Sequence, residues 1–193
     1  MMVKICGITN LEDALAAVEG GASALGFNFW PHSPRYITPE AARKVIERLP
    51  EKVYKVGVFV DEEPGAVTAV AGEAGLDVVQ LHGRERANDF PAGLRVWKAL
   101  RIGADFDRAA LDQYPAEALL LDGPANGVTF DWTVAAGIER KVIVAGGLDA
   151  ENVGKAIAQA RPWGVDACSR IERSPGKKDR NKMAKFLKAA LES

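Results

Sequence analysis

The sequence predicts an α/β fold, a closed barrel of eight parallel strands that alternate with helices. Two observations lead to this prediction. Short apolar runs alternate with helical patterns through the whole chain, and there are eight of each. Most runs are almost continuously apolar, as in parallel strands that are covered on both faces. Eight such units without a remainder favour a single compact (β/α)8 or TIM barrel, although about 250 residues is more usual for that fold.

The predicted elements follow in order along the chain. The strands are residues 2–6, 24–29, 54–60, 77–81, 94–100, 118–121, 142–145 and 164–167. The helical patterns are residues 11–19, 39–48, 64–74, 86–90, 107–114, 131–136, 150–160 and 179–191. The alternative fold is an open doubly wound sheet, but no G-x-G-x-x-G follows the first strand. We expect residues 1–193 to form one barrel domain.

The first strand ends in a thiol at the point where the chain must turn. Alternate residues of a strand share a face, so Met2, Lys4 and Cys6 are predicted to point to the same side. Asn10 is a candidate N-cap for the helix that follows. The chain therefore opens as a strand, a turn with an accessible thiol, and a helix.

Composition and charge exclude several functional classes. The chain has 25 basic and 26 acidic side chains and a formal charge of −1, which gives no electrostatic case for nucleic acid or an anionic membrane. It has neither a signal sequence nor an apolar stretch long enough to cross a membrane, so we expect a cytoplasmic protein. Cys6 and Cys168 are too few for a disulfide framework, and with His32 and His82 they have no zinc-type spacing.

Reactive side chains concentrate where the predicted strands end. A closed barrel gathers the carboxyl ends of its strands at one rim, and active sites of such barrels lie there. The strand ends carry Cys6, Asn28, Asp61, His82, Lys98, Asp122, Gly146 with Gly147, and Cys168 with Ser169. We therefore expect the functional site at this rim.

Eight short motifs, taken in order, resemble the phosphoribosylanthranilate isomerase family. They are residues 4–9 (KICGIT), 26–29 (GFNF) with 33–37 (SPRYI), 57–61 (GVFVD), 79–83 (VQLHG), 129–132 (TFDW), 145–148 (AGGL) and 175–179 (PGKKD). Each is weak alone, but together they span nearly the whole chain. The resemblance implies the Amadori rearrangement of N-(5-phosphoribosyl)anthranilate to 1-(2-carboxyphenylamino)-1-deoxyribulose 5-phosphate in tryptophan biosynthesis. It also implies that no metal or organic cofactor takes part.

The resemblance implies roles for three side chains. Cys6 would be the general base, Asp122 the general acid, and Arg35 the partner of the anthranilate carboxylate. A free thiol has a pKa of about 8.5 and needs help to ionise. We expect Lys4 and Asp166 to form an inward ion pair beneath Cys6. Asp122 has the opposite requirement, namely surroundings that disfavour its charged form.

The expected ligand is a small phosphorylated molecule. Gly146 and Gly147 can bring backbone N–H groups close to its phosphate, as in the last two loops of such barrels. Ser169 is expected to contact the substrate, and His82 to position it or to serve the structure rather than the chemistry. Asp61 and Lys98 are expected to be supporting groups.

Two segments depart from the family pattern. Residues 123–128 read GPANGV where the family has a Gly-Gly-Ser/Thr-Gly stretch, and residues 166–172 read DACSRIE where the family tends to have Asp-Val-Ser-Ser-Gly-Val-Glu. We expect Cys168 to replace a serine passively. Arg170 either supplies charge to the phosphate or turns outward and leaves the binding to backbone N–H groups, and the second role is preferred. Lys177 and Lys178 are expected to be solvated surface charges.

Two other functional classes compete with the isomerase. A different phosphosugar barrel enzyme would need another set of groups: a metal-dependent epimerase wants clustered histidines and carboxylates, and the related isomerase of histidine biosynthesis uses paired aspartates. A catalytically silent barrel would only bind a ligand or partner. Two dispersed histidines do not supply the metal cluster, and strand one ends in a cysteine rather than an aspartate. The presence of both Cys6 and Asp122 argues against the silent barrel. The oligomeric state, monomer or homodimer, stays open.

Overall fold

Eight parallel strands close into a barrel in the computed structural model, which describes residues 1–104 and 106–193. The strands are β1 (Met2–Ile5), β2 (Ala24–Asn28), β3 (Tyr54–Phe59), β4 (Val78–Leu81), β5 (Val96–Arg101), β6 (Ala118–Asp122), β7 (Val142–Val144) and β8 (Gly164–Ala167). Each strand pairs with the next, and β1 pairs with β8, with Lys4 opposite Asp166. The predicted strands are confirmed, and their ends differ from the observed ones by at most two residues.

The strands alternate between two apolar cores. Inward-facing residues fill the barrel interior: Met2, Ala24, Val56, Val78, Trp97, Ala99, Ala118, Leu120, Ile143 and Ala145. Outward-facing residues such as Val3, Ile5 and Val165 pack under the helices. Strands that are buried on both faces explain why the apolar runs are nearly continuous.

Five α-helices cover the barrel. They are α1 (Leu11–Glu19), α2 (Pro39–Ile46), α3 (Pro64–Ala74), α4 (Val153–Ala160) and α5 (Arg180–Leu191). The Asn10 side chain accepts a hydrogen bond from Asp13 N at 2.8 Å, so the predicted N-cap of α1 is confirmed. None of the described helices is long and apolar enough to cross a lipid bilayer.

Three of the predicted helices are wrong. In the described residues after β4, β5 and β6 the helical segments are only 3₁₀ turns, at Ala87–Asp89, Arg108–Gln113 and Trp132–Ala135. The side chains of Asp107 and Asp131 accept hydrogen bonds from backbone N–H groups two residues on and so cap the start of two of these turns. Segments this short cannot offset the cost of starting an α-helix.

A hairpin that the sequence did not predict follows β8. After a 3₁₀ turn at Ser169–Ile171, β9 (Glu172–Ser174) pairs antiparallel with β10 (Lys177–Lys178). Lys177 is exposed, as predicted, but Lys178 is only 2% exposed, so the prediction of a solvated charge there is wrong. Its Nζ atom lies 2.9 Å from Glu172 Oε1, and this partner compensates the buried charge.

Candidate active site

A cavity of about 250 Å³ opens at the carboxyl ends of the barrel strands. Its wall contains every residue predicted for catalysis or substrate binding: Cys6, Arg35, His82, Asp122, Gly146, Gly147 and Ser169. The structure therefore brings the whole predicted set together at the predicted rim. No group of three or more potential metal ligands occurs within residues 1–104 and 106–193.

Two residues of the predicted rim lie behind this wall. Lys98 forms a buried ion pair with Glu85 at 2.7 Å and donates to Gly83 O at 2.7 Å. Glu85 in turn accepts hydrogen bonds from the backbone N–H groups of Asp61 and Gly83. Asp61 and Lys98 therefore support the loop after β4, as predicted, and this loop begins at His82.

The candidate base sits directly above a buried charge pair. Lys4 is completely buried, and its Nζ lies 3.1 Å from Asp166 Oδ1, so the predicted ion pair is confirmed. Burial opposes the charge of Lys4, but Asp166 and Cys6 outweigh it and raise the pKa of the ammonium. Burial raises the pKa of Asp166 to about 7, against the pull of Lys4. The thiol of Cys6 and the ammonium of Lys4 both lie against Gly26, where any side chain would collide with them.

Cys168 lies beside Cys6 because the β1–β8 ladder continues past the strand ends. Cys6 N donates to Ala167 O at 2.9 Å. A hydrogen bond from the Cys168 thiol lowers the pKa of Cys6 well below its ordinary value; burial opposes this effect, and Lys4 and Lys178 assist it. The same contact, with burial, raises the pKa of Cys168. The Cys168 thiol also lies 3.9 Å from Glu172 Oε1 and 4.0 Å from Lys178 Nζ. The passive role expected for Cys168 stays a prediction.

Arg35 reaches the cavity from the loop after β2 and is held by Glu172. Its Nε and Nη2 atoms donate to the Glu172 carboxylate at 3.0 and 2.7 Å, while Lys178 contacts the same carboxylate from the hairpin. Burial opposes the charge of Glu172, but Arg35 and Lys178 hold its pKa below the usual range. Among the described residues, Nη1 of Arg35 makes no hydrogen bond, which leaves it for a ligand.

The candidate acid, Asp122, ends β6 on the other side of the cavity. Its Oδ1 accepts from Gly123 N at 2.9 Å, and its Oδ2 lies 3.2 Å from His82 Nε2. The two atoms are close, but they are not aligned for a hydrogen bond. The other ring nitrogen of His82, Nδ1, lies 3.2 Å from the amide nitrogen of Gln80. Within the described part of the chain, His82 is the only basic group at ion-pair distance from Asp122.

The loops after β6, β7 and β8 form the remaining wall. Gly146 and Gly147 have positive φ values of 82° and 63°, which glycine adopts without strain. A Cβ atom on Gly147 would lie 2.6 Å from Gly127 O, so the two loops meet glycine against glycine. Arg170 lies half exposed at the rim, where its guanidinium pairs with Asp149 at 2.9 Å.

The family of the chain follows from a comparison with known proteins. Residues 3–189 match the family model of N-(5'-phosphoribosyl)anthranilate isomerase. The chain belongs to this family. The family predicted from the eight motifs is confirmed, and as a member the chain is an isomerase of tryptophan biosynthesis.

Individual relatives agree with this assignment over their whole length. The N-(5'-phosphoribosyl)anthranilate isomerase of Solibacter usitatus is 55% identical over 98% of this chain and 97% of the relative. The crystal structure of phosphoribosyl anthranilate isomerase from Thermus thermophilus superposes with a TM-score of 0.93 at 41% identity, covering 100% and 99% of the two chains. A family member solved with reduced 1-(o-carboxyphenylamino)-1-deoxyribulose 5-phosphate has a TM-score of 0.91 at 42% identity and full coverage of both chains.

Two residues of the candidate site were missed by sequence reasoning. Glu172 ends the segment 166–172, but nothing in that segment shows that a hairpin turns it toward Arg35. Gln80 is a polar residue inside the apolar run of β4, two positions before His82 and on the same face of the strand. That pattern was a usable signal for a polar contact inside the barrel.

Proposed function

We propose that the chain rearranges N-(5-phosphoribosyl)anthranilate to 1-(2-carboxyphenylamino)-1-deoxyribulose 5-phosphate with Cys6 as general base and Asp122 as general acid. One observation carries the proposal. The two groups line the same cavity, and the thiol with the lowered pKa stands over a buried ammonium. A base and an acid on opposite sides of one cavity are what this rearrangement requires.

The acid acts first in the proposed sequence. The carboxyl group of Asp122 delivers its proton to the ribose ring oxygen while the bond between that oxygen and C1 breaks. The lone pair of the anthranilate nitrogen moves to C1 and forms an iminium. Asp122 is left as a carboxylate, and Gly123 N and His82 lie beside its two oxygens.

The base acts on the iminium. The thiolate of Cys6 removes the proton from C2, and the electron pair of that C–H bond moves toward the positive nitrogen to give an enolamine. The enol then becomes the C2 ketone as its O–H proton is lost and C1 gains a proton. Lys4 beneath the sulfur and Cys168 beside it lower the pKa of Cys6 and so favour the thiolate.

The remaining wall would hold the two anionic ends of the substrate. Nη1 of Arg35 is suited to the anthranilate carboxylate, because Glu172 already fixes the direction of the guanidinium. The backbone at Gly146 and Gly147, with Ser169, would bind the phosphate. His82 would position substrate from the side of Asp122.

The setting of this activity follows from the same proposal. The partner of the chain is a small phosphorylated molecule, as in the family member solved with a reduced deoxyribulose 5-phosphate. We expect residues 1–193 to act as one barrel domain, because the closing of β1 onto β8 joins both ends of the chain. We expect this domain to work in the cytoplasm, as an isomerase of tryptophan biosynthesis. The chain would work as a monomer or a homodimer.

The experiment compares wild type with Cys6→Ser and Asp122→Asn. Freshly generated N-(5-phosphoribosyl)anthranilate is added, and turnover is followed by the loss of its anthranilate-type fluorescence. We expect rapid turnover by wild type and none above background by Cys6→Ser, since a serine hydroxyl does not ionise at neutral pH. A folded wild type without turnover would overturn the proposed function, while an active Cys6→Ser would remove only the base.

A further inference from the structure

Gln80 is a polar side chain buried where the rest of its strand is apolar. It is 1% exposed and lies between Val58 of β3 and Trp97 of β5 in the barrel register. Among the described residues, its amide oxygen has no hydrogen-bond partner, and its amide nitrogen lies 3.2 Å from His82 Nδ1. Burying an amide oxygen without a hydrogen-bond partner costs free energy of folding, which indicates a functional role for the contact between Gln80 and His82.

The contact decides which nitrogen of the His82 ring carries the proton. A neutral imidazole has one N–H donor and one acceptor nitrogen. If the amide of Gln80 donates to Nδ1, then Nδ1 is the acceptor, and the proton is on Nε2. Nε2 is the nitrogen that lies 3.2 Å from Asp122 Oδ2.

An N–H on Nε2 matters at one moment of the reaction. Asp122 begins as a carboxylic acid and becomes a carboxylate when its proton moves to the ribose oxygen. A small rotation of the ring would aim Nε2–H at Oδ2, so the new charge would gain a donor as it forms, opposite the one that Gly123 N gives to Oδ1. An interaction that is stronger in the transition state than before it raises the rate.

We propose that Gln80 is a positioning residue for the acid. It holds His82 with the ring proton on Nε2, and the ring thereby presents an N–H to the negative charge that develops on Asp122. The inference rests on the proposed role of Asp122. Gln80 also lines the cavity, but in this proposal it acts through His82.

The test measures the ring proton directly. The chain has two histidines, His32 and His82, so long-range ¹H–¹⁵N spectra of protein labelled in histidine contain two rings, and His32→Gln identifies them. We expect wild-type His82 to carry its proton on Nε2. A wild-type ring with the proton on Nδ1 would overturn the proposal, and this measurement does not depend on any Gln80 variant being folded.

Two variants link the ring proton to the rate. Gln80→Met keeps the length of the side chain but has no N–H, and Gln80→Glu can only accept, so it should move the ring proton to Nδ1. We expect kcat to fall about tenfold in Gln80→Met and further in Gln80→Glu, with KM changed less than about twofold. A Gln80→Met enzyme with wild-type kcat and an unchanged ring proton would contradict the proposal.

The failure of this inference can be told from the failure of the acid assignment. A proton on Nδ1 in wild type, together with an inactive Asp122→Asn, removes the role of Gln80 and keeps the acid. A fully active Asp122→Asn removes the acid and the role of Gln80 with it, whatever the spectrum shows.

Discussion

The two sides of the cavity are built from different chemistry. On the side of β1 and β8, the thiol of Cys6 stands among buried charges, with Lys4 below and Lys178 nearby. On the side of β4 and β6, Asp122 meets a backbone N–H and the ring of His82. One side is dense in ion pairs, and the other is assembled from dipoles.

The difference fits the proton transfer that we propose for each group. A thiol has to lose its proton near neutrality, and neighbouring cations favour the anion that results. A carboxyl group has to keep its proton until the substrate arrives, and a fixed cation beside it would take that ability away. Variants on each side of the cavity test whether a change on one side leaves the chemistry of the other side unchanged.

The largest effect is expected on the acid side. Asp122→Asn removes the proton donor but keeps the size of the side chain, so kcat should fall about 10³-fold. Binding of a reduced product analogue, measured by calorimetry, should stay near wild type because Arg35 and the glycine loops are untouched. The alkylation rate of Cys6 serves as the control and should not change. Wild-type turnover by this variant would end the acid assignment.

The charge below the base comes next. Lys4→Met should lower kcat/KM at neutral pH about 100-fold, because the thiolate loses its buried cation. It should also cost about 3 kcal/mol in the free energy of unfolding, since Asp166 is left buried without its partner. The double variant Lys4→Met with Asp166→Asn is the matched control. It should recover stability in urea unfolding but not the rate, and full activity of the single variant would contradict the prediction.

Two neighbouring lysines of β10 allow the stability contributed by a buried charge to be compared with that of a surface charge. Lys178→Met should destabilise the protein by about 3 kcal/mol, because it breaks a buried ion pair with Glu172. Lys177→Met should change stability by no more than about 0.5 kcal/mol, because that side chain is exposed. Urea unfolding of the two variants measures the difference. Equal values would show that the hairpin contributes nothing through its buried charge.

The smallest effect concerns the thiol beside the base. In wild type the lowered pKa of Cys6 keeps the thiolate as pH falls, and activity is lost only when pH falls through that lowered value. Cys168→Ala removes the donor, so the acid limb of the kcat/KM profile should move to higher pH. Cys168→Ser keeps a donor and should stay near wild type. The pH dependence of Cys6 alkylation measures the same shift, and coincident profiles for alanine and wild type would exclude this role of Cys168.

Sequence reasoning predicted the features that depend on strand periodicity. The pairing of Lys4 with Asp166 follows because both lie on the inner face, one layer below the strand ends, and barrel closure makes the first and last strands neighbours. The same logic placed Cys6 and Asp122 at one rim. These positions follow from the two-residue period of side chains along a strand and from the closed barrel topology. Both can be inferred from the apolar runs in the sequence.

The features that were missed depend on local turns and on exact contacts. Glu172 reaches Arg35 only because a 3₁₀ turn and a two-strand hairpin carry it back over the rim, and no periodic pattern encodes such a path. The helices expected after β4, β5 and β6 are replaced by 3₁₀ turns of three, six and four residues, and local sequence preference does not separate such turns from short α-helices. The partnership of Cys168 with Cys6 depends on the placement of two small side chains, which strand spacing alone does not give.

The closure of β1 onto β8 also sets the order of events when the chain folds. Lys178 N donates to the Asp13 carboxylate across 165 residues of sequence, and Cys6 N donates to Ala167 O across a similar span. Contacts between such distant segments carry a large loop-closure cost and tend to form slowly. Until they form, Cys6 has neither Cys168 nor Asp166 beside it and reacts as an ordinary thiol. The alkylation rate of Cys6 should therefore report when β1 closes onto β8 during refolding. A fragment with only half of the barrel should not show this change in rate.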